Sequence, residues 1–189
     1  MVNPRPPSGH FSGTSSGTPH DVLTGFHSIL NVHDNIHASM DRHQEALVRN
    51  GLKPDGFRLA VNLFLNFDRA LRSHIRAENQ FLIPAFEKHC PETIGCTPEI
   101  LLAEHKKLER LLDELLEFLQ ELQARGAPEP LQIVEILERE RMIKEVLDHH
   151  GIREAEGFIP NLEKFIPDAT AKKLMEQCNL EHEKADDLR

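Results

Sequence analysis

The chain has no tryptophan, no tyrosine, only three cysteines in 189 residues, and no cluster of basic side chains. Each shortage excludes something. With tryptophan and tyrosine missing, the ten phenylalanines are the aromatic part of any core. Cys90, Cys96 and Cys178 do not make a disulfide framework, so a reducing, cytoplasmic location is the expectation. Cys90 and Cys96 fall in one loop and can pair under oxidation, but two free thiols are the favoured reading. Lysine and arginine number 22 against 31 acids, a net charge of −9, which argues against nucleic acid or an anionic membrane as partner. No apolar run approaches the length of a membrane span. The first residues lack the apolar segment of a secretory signal.

What is present is enough for one domain with a substantial core. Residues 1–17 are rich in Pro, Gly, Ser and Thr and are expected to be a disordered leader. Thr18-Pro19-His20-Asp21 then reads as a helix start, with Thr as cap and Pro at the first helical position. Four long amphipathic segments follow, with apolar residues stepping by three and four. The first carries Val22, Phe26, Ile29, His33, Ile36, Met40, His43 and Leu47 and stops at Gly51. The second, with Asp55 as expected cap, carries Phe57, Ala60, Phe64, Phe67, Leu71, His74, Glu78, Phe81 and Ala85, and Pro84 is expected to kink its last turn. The third, capped at Thr97-Pro98, carries Leu101, His105, Leu108, Leu112, Leu115, Leu119 and Leu122 and ends near Gly126. The fourth opens at Pro130, carries Ile133, Ile136, Glu140, Ile143, Leu147, His150 and Glu154, and is expected to end around Gly157 to Pro160. A short fifth helix from Asp168, with Ala171, Leu174, Met175 and Cys178 on one side, is expected to pack across the others or against a second subunit as a homodimer contact. The expected fold is all-α: an up-down-up-down antiparallel four-helix bundle over 18–160 with a helical extension over 161–189.

One pattern occurs twice. His74-x3-Glu78 and His150-x3-Glu154 each end in a Phe/Leu/Ile run at a Pro six residues beyond the Glu, Pro84 and Pro160. Residues four apart share a helix face, so each copy offers an imidazole and a carboxylate to one point. A lone His follows the same logic on the preceding helix: His33 stands 41 residues before His74, and His105 stands 45 before His150. Depth decides whether they meet. His33 lies 18 residues before Gly51, His74 19 after Asp55, His105 21 before Gly126, and His150 20 after Pro130. At about 1.5 Å per residue these fall within one or two turns of a common level. His43 lies roughly 15 Å from His33 along the axis, too far to share the site. For His43, His149 and Glu140 a flanking or partly buried polar role is the plainer reading, and His10, His20, His27, His89 and His182 read as solvated. Inward carboxylates are costly unless paired. Nitrogen and oxygen ligands without thiolate suit iron, manganese or zinc.

The order His33, His74-x3-Glu78, His105, His150-x3-Glu154 resembles the hemerythrin-like (HHE cation-binding) domain, over about residues 20 to 160. The resemblance implies a non-haem centre of two iron ions, oxo- or hydroxo-bridged, with Glu78 and Glu154 bridging the metals and the four His terminal. Respiratory hemerythrins place a second His four residues after the first on the third helix, where this chain has Glu109. They use His-x4-Asp on the last helix, where this chain offers both His149-x4-Glu154 and His150-x3-Glu154; the seam and the internal repeat favour His150. Glu109 then serves either as a carboxylate ligand or as acceptor of a hydrogen bond from a ligating His, and His37 stands to His33 as Glu109 does to His105.

The expected function is that of a soluble di-iron protein that binds or responds to a small diatomic or peroxide ligand (oxygen, peroxide or nitric oxide), in sensing, storage or stress protection. Beside it stand an iron- or oxygen-dependent regulatory module, a peroxidase- or catalase-like enzyme, and a metal-free interaction bundle whose His and Glu pair with each other. The sequence offers no dedicated catalytic acid beyond Glu109 and Glu140, which weighs against turnover.

Overall fold

A computed structural model describes residues 25–91 and 94–186, and among them every regular element is helical. The elements are α1 (Ser28–Asn50), α2 (Pro54–Ala77), a first π-helical turn (Glu78–Leu82), α3 (Ile83–His89), α4 (Pro98–Ala124), α5 (Pro130–Arg153), a second π-helical turn (Glu154–Phe158), α6 (Ile159–Phe165) and α7 (Asp168–Asp186). The leader and the expected start at Thr18-Pro19 lie outside the described residues. The described part of α1 begins at Ser28, after a bend and turn at residues 25–27.

Proline at the first helical position recurs because its missing N–H has no intrahelical partner to lose there. It opens α4 behind Thr97, whose Oγ1 accepts from Ile100 N at 3.4 Å, and α5 behind Glu129, whose N–H donates to Gln132 Oε1 at 2.8 Å. The same preference corrects the start of α2. Pro54 takes the first position and Lys53 the cap, so Asp55 sits inside the first turn beside Arg58, at 3.1 Å.

The two later prolines do not end their helices. Both helices pass through a π turn and continue for another seven residues as α3 and α6. Ile83 N–H reaches back to Glu78 O, and Ile159 N–H to Glu154 O, five residues rather than four. A proline next in line cannot donate, and one inserted residue widens the turn without unwinding the helix. Each π turn begins at the Glu of the repeated pattern.

Neighbouring helices meet in opposite chain order. His33 and His43 on α1 face His74 and the Ala60 carbonyl on α2. His105 and Phe118 on α4 face His150 and Arg139 on α5. His37 and Asp41 on α1 face Asp148 and Lys144 on α5. The apolar core is in two parts. One joins Met40, Phe64, Leu71, Leu112, Ile143 and neighbours from α1, α2, α4 and α5. The other gathers Ile29, Leu82, Phe86, Leu101, Phe158, Leu162 and Met175 at the end where α3, α6 and α7 lie.

α7 has 19 residues, longer than the short helix expected, and it packs on α2 and the first π turn. Ser73 Oγ donates to Glu181 O and Arg76 Nε to Glu181 Oε1, each at 3.0 Å. Met175 and Cys178 are buried within the chain. The three cysteines are free, and no helix is long and apolar enough to cross a membrane among the described residues.

Candidate metal centre

The layer between the two apolar clusters is polar. It holds His33, His74, Glu78, His105, His150 and Glu154, none more than 6% exposed. On each long helix these residues fall where the apolar seam passes from one cluster to the other, as between Ile29 and Ile36 on α1 and between Leu101 and Leu108 on α4. Seam position turns them inward, and matched depth brings them together.

Their ligand atoms converge in two overlapping groups, His33, His74, His150 with Glu154, and Glu78, His105, His150 with Glu154. In each group the ligand atoms lie within 4.8 Å of one another, close enough to hold a metal ion. His33 Nε2 is 2.7 Å from His74 Nε2, and His105 Nε2 is 3.1 Å from His150 Nε2. The carboxylates sit between these pairs. Glu154 directs Oε2 to His33 Nε2 at 2.9 Å and Oε1 to His150 Nε2 at 3.0 Å. Glu78 directs Oε1 to His74 Nε2 at 3.6 Å and Oε2 to His105 Nε2 at 3.2 Å.

The two imidazole pairs meet as hydrogen bonds, whereas the Glu154 contacts, though as short, do not. Both Glu154 oxygens and Glu78 Oε1 are buried without a hydrogen-bond partner. Buried carboxylate oxygens left in that state are expensive, and a cation at the point of convergence satisfies them. The imidazoles fit the same reading. His105 Nδ1 is 2.7 Å from Asn79 Oδ1, and His150 Nδ1 is 3.1 Å from Glu104 Oε2. An Nδ1–H donated outward leaves the Nε2 lone pair facing the centre, the tautomer a metal requires.

The electrostatics show what the cluster does with protons in place of a cation. Burial lowers the proton affinity of His150, but Glu154, Glu104 and Glu78 outweigh it and hold the imidazole well above its ordinary value. His33 is raised for the same reason, burial being overcome by Glu154 and then Glu78. His74, where burial prevails over Glu78, is held well below. Burial pushes Glu154 up, and the charges and closeness of His150 and His33 bring it far below the carboxylate range. Burial and Glu154 push Glu78 up, and His74, His105 and His150 bring it below its ordinary value. The site is thus a negative pocket that recruits positive charge.

The remaining candidates lie apart. Glu109 is partly buried and belongs to neither group. His37 is partly exposed and pairs with Asp148 at 3.6 Å, and His149 is exposed. His43 and Glu140 are more buried than expected: His43 Nε2 lies 2.6 Å from Glu140 Oε1 and its Nδ1 2.7 Å from Ala60 O, with Gln44 donating to Glu140 Oε2 at 2.8 Å. His182, expected to be solvated, is partly buried with its ring 6.2 Å from that of His74. Two contributors were not anticipated, Asn79 and Glu104. Each is the chain neighbour of a central residue, and that adjacency was the only signal in the sequence. Glu104 also accepts from Arg153 Nε at 3.1 Å and Nη2 at 3.0 Å, and Arg153 donates to Gly95 O as well. No family model, curated protein or solved structure matches this chain.

Proposed function

We propose that the chain is a hemerythrin-like protein, an up-down-up-down antiparallel four-helix bundle of α1, α2, α4 and α5 that holds two iron ions and binds or responds to oxygen, peroxide or nitric oxide. The opposite chain order of the helix contacts supports the bundle. One observation carries the centre: each buried carboxylate has one oxygen toward the His33–His74 pair and the other toward the His105–His150 pair. Carboxylates so placed would bridge two cations. His33 and His74 would hold one ion, and His105 and His150 the other.

Iron is favoured over structural zinc because shared carboxylates and imidazoles without thiolate suit a redox pair better than one closed tetrahedral site. The iron pair, when bound, supplies electrons and an open position to a small oxidant. The protein's own residues do the rest. Asn79 and Glu104 orient the rings of His105 and His150, Arg153 holds Glu104 in place, and the flanking Phe and Leu clusters keep bulk water out. Glu140 is taken up by His43, which favours binding, sensing, storage or protection over turnover. A regulatory reading has one observation of its own: α7 lies behind His74, so a partner on α7 would sense the state of the centre.

Metal analysis and an ultraviolet-visible spectrum of protein purified in air test the proposal. About two irons per chain with near-ultraviolet absorption from the bridged pair is the expected result. A reversible new band when the reduced protein meets oxygen indicates carriage or sensing, whereas bleaching with peroxide consumption indicates an enzyme. No iron, or a single zinc, sinks the proposal and leaves a metal-free bundle of paired His and Glu.

A further inference from the structure

The two halves of the polar layer are built from the same repeated pattern but are not equally closed. Between His150 and Glu154 stands Arg153, whose guanidinium is tied to Glu104 and Gly95 O and fills that side. The matching position between His74 and Glu78 is Ala77, a methyl group. Beside it a cavity of about 20 Å³ lies between α1, the first π turn and α7. Its walls include Ile29, Val32, Met175 and Cys178, and its floor is His74 with Glu78. Asn179, exposed on α7, stands at its outer side, while Glu78 at the inner end is 1% exposed with Oε1 unpartnered. A space of this size takes one water-sized or diatomic molecule.

We propose that this cavity is the docking chamber through which an uncharged diatomic ligand reaches the centre, with α7 as its outer wall. The inference rests on the di-iron reading for its purpose, though the chamber itself does not depend on metal. Three features set the ligand class. The volume excludes anything much larger than a diatomic. The walls are mostly apolar, and no lysine or arginine is among the lining residues. An anion entering between them sheds its hydration, and the polar lining residues Ser28, Asn179, His74 and His182 offer no permanent positive charge in return. Oxygen or nitric oxide therefore enters more readily than azide.

The test uses crystals of the full chain pressurised with krypton, together with stopped-flow mixing of the reduced protein with nitric oxide and with azide. Krypton is expected between α1, the first π turn and α7, in contact with Val32, Met175 and Cys178. Cys178→Leu, which fills the chamber, is expected to remove krypton and slow nitric oxide association about tenfold with iron content unchanged. Met175→Ala, which enlarges it, is expected to raise krypton occupancy and the nitric oxide rate, and it serves as the test if the first variant does not fold. Azide is expected to associate more slowly than nitric oxide in all forms. Absence of krypton from this cavity in iron-loaded protein overturns the chamber alone, as does an unchanged nitric oxide rate in both variants. Krypton in the chamber of a protein without iron overturns the di-iron reading and leaves a cavity with no metal to serve.

Discussion

Glu154 is the residue on which the most converges, since its two oxygens face both imidazole pairs. Its folded-state proton affinity is lowered, as is that of Glu78. A carboxylate depressed in this way contributes stability above its unfolded value near 4.5, and that contribution is lost as pH falls through the lowered folded value. Metal-free protein should therefore show a falling urea midpoint between about pH 5 and pH 3. Glu154→Gln should flatten that fall and, in iron-supplemented protein, reduce the bound metal; an unchanged acid profile would count against the assignment. Thiols give a second check at this scale. Burial pushes Cys96 up to about 11 and Cys178 up to about 12, while Cys90 is partly exposed and raised less. Alkylation at pH 8 followed by peptide mass mapping should modify Cys90 first. Equal rates at all three would contradict the packing of the other two.

Among the elements, the π turns distinguish this chain from four plain rods. Each begins at a central Glu and is followed by a proline two residues past its end, so one inserted residue sets the direction of the carboxylate and carries the helix past the proline. The second turn is also tightly packed. A Cβ added at Gly157 would lie 2.7 Å from Cys96 Cβ, closer than carbon atoms approach. Gly157→Ala should cost about 1–3 kcal/mol, read as a lower urea midpoint, because the Cys96 backbone segment has to move. Gly25→Ala, where no atom of the described residues lies within 4 Å beyond its chain neighbours, is the control and should be close to neutral. Equal effects at the two positions would refute the close approach. The seams of α2 and α4 were legible, since burial of Phe57, Phe64, Leu108 and Leu115 follows from 3.6-residue periodicity alone, but past the first π turn the expected Phe81 and Ala85 give way to Leu82 and Phe86, shifted by the inserted residue. The π turns were not, because a proline after an apolar run reads the same whether the helix stops or widens.

Considered as a whole, the molecule is two apolar clusters separated by a polar layer. The larger cluster is drawn from α1, α2, α4 and α5 and contains none of the six polar residues. The smaller one, with α3, α6 and α7, lies on the other side of the layer. A metal bound at 1,000 times its Kd adds about 4 kcal/mol, equivalent to roughly 8–16 °C in Tm for a chain of this size. Chelation should therefore lower Tm by about that amount. Hydrogen exchange should rise mainly in α3, α6 and α7, with α2 and α4 remaining protected next to the larger cluster. A uniform rise along the chain would mean that the layer does not join two separately stable parts.

The spacing of apolar residues, the capping prolines and the doubled His-x3-Glu pattern were enough to locate the long helices and to choose the six central residues. That works because helical periodicity converts position in the chain into face and depth. Rotation of one helix against another is not contained in any single helix. Only the tertiary structure could therefore leave Glu109 and His37 out of the two converging groups and bring Glu104 onto His150 and Asn79 onto His105. The same holds for α7, whose composition announces an amphipathic helix but not the surface it covers. Its docking against α2 made the cavity beside Glu78, where one methyl group on Ala77 stands opposite the place its repeat fills with an arginine.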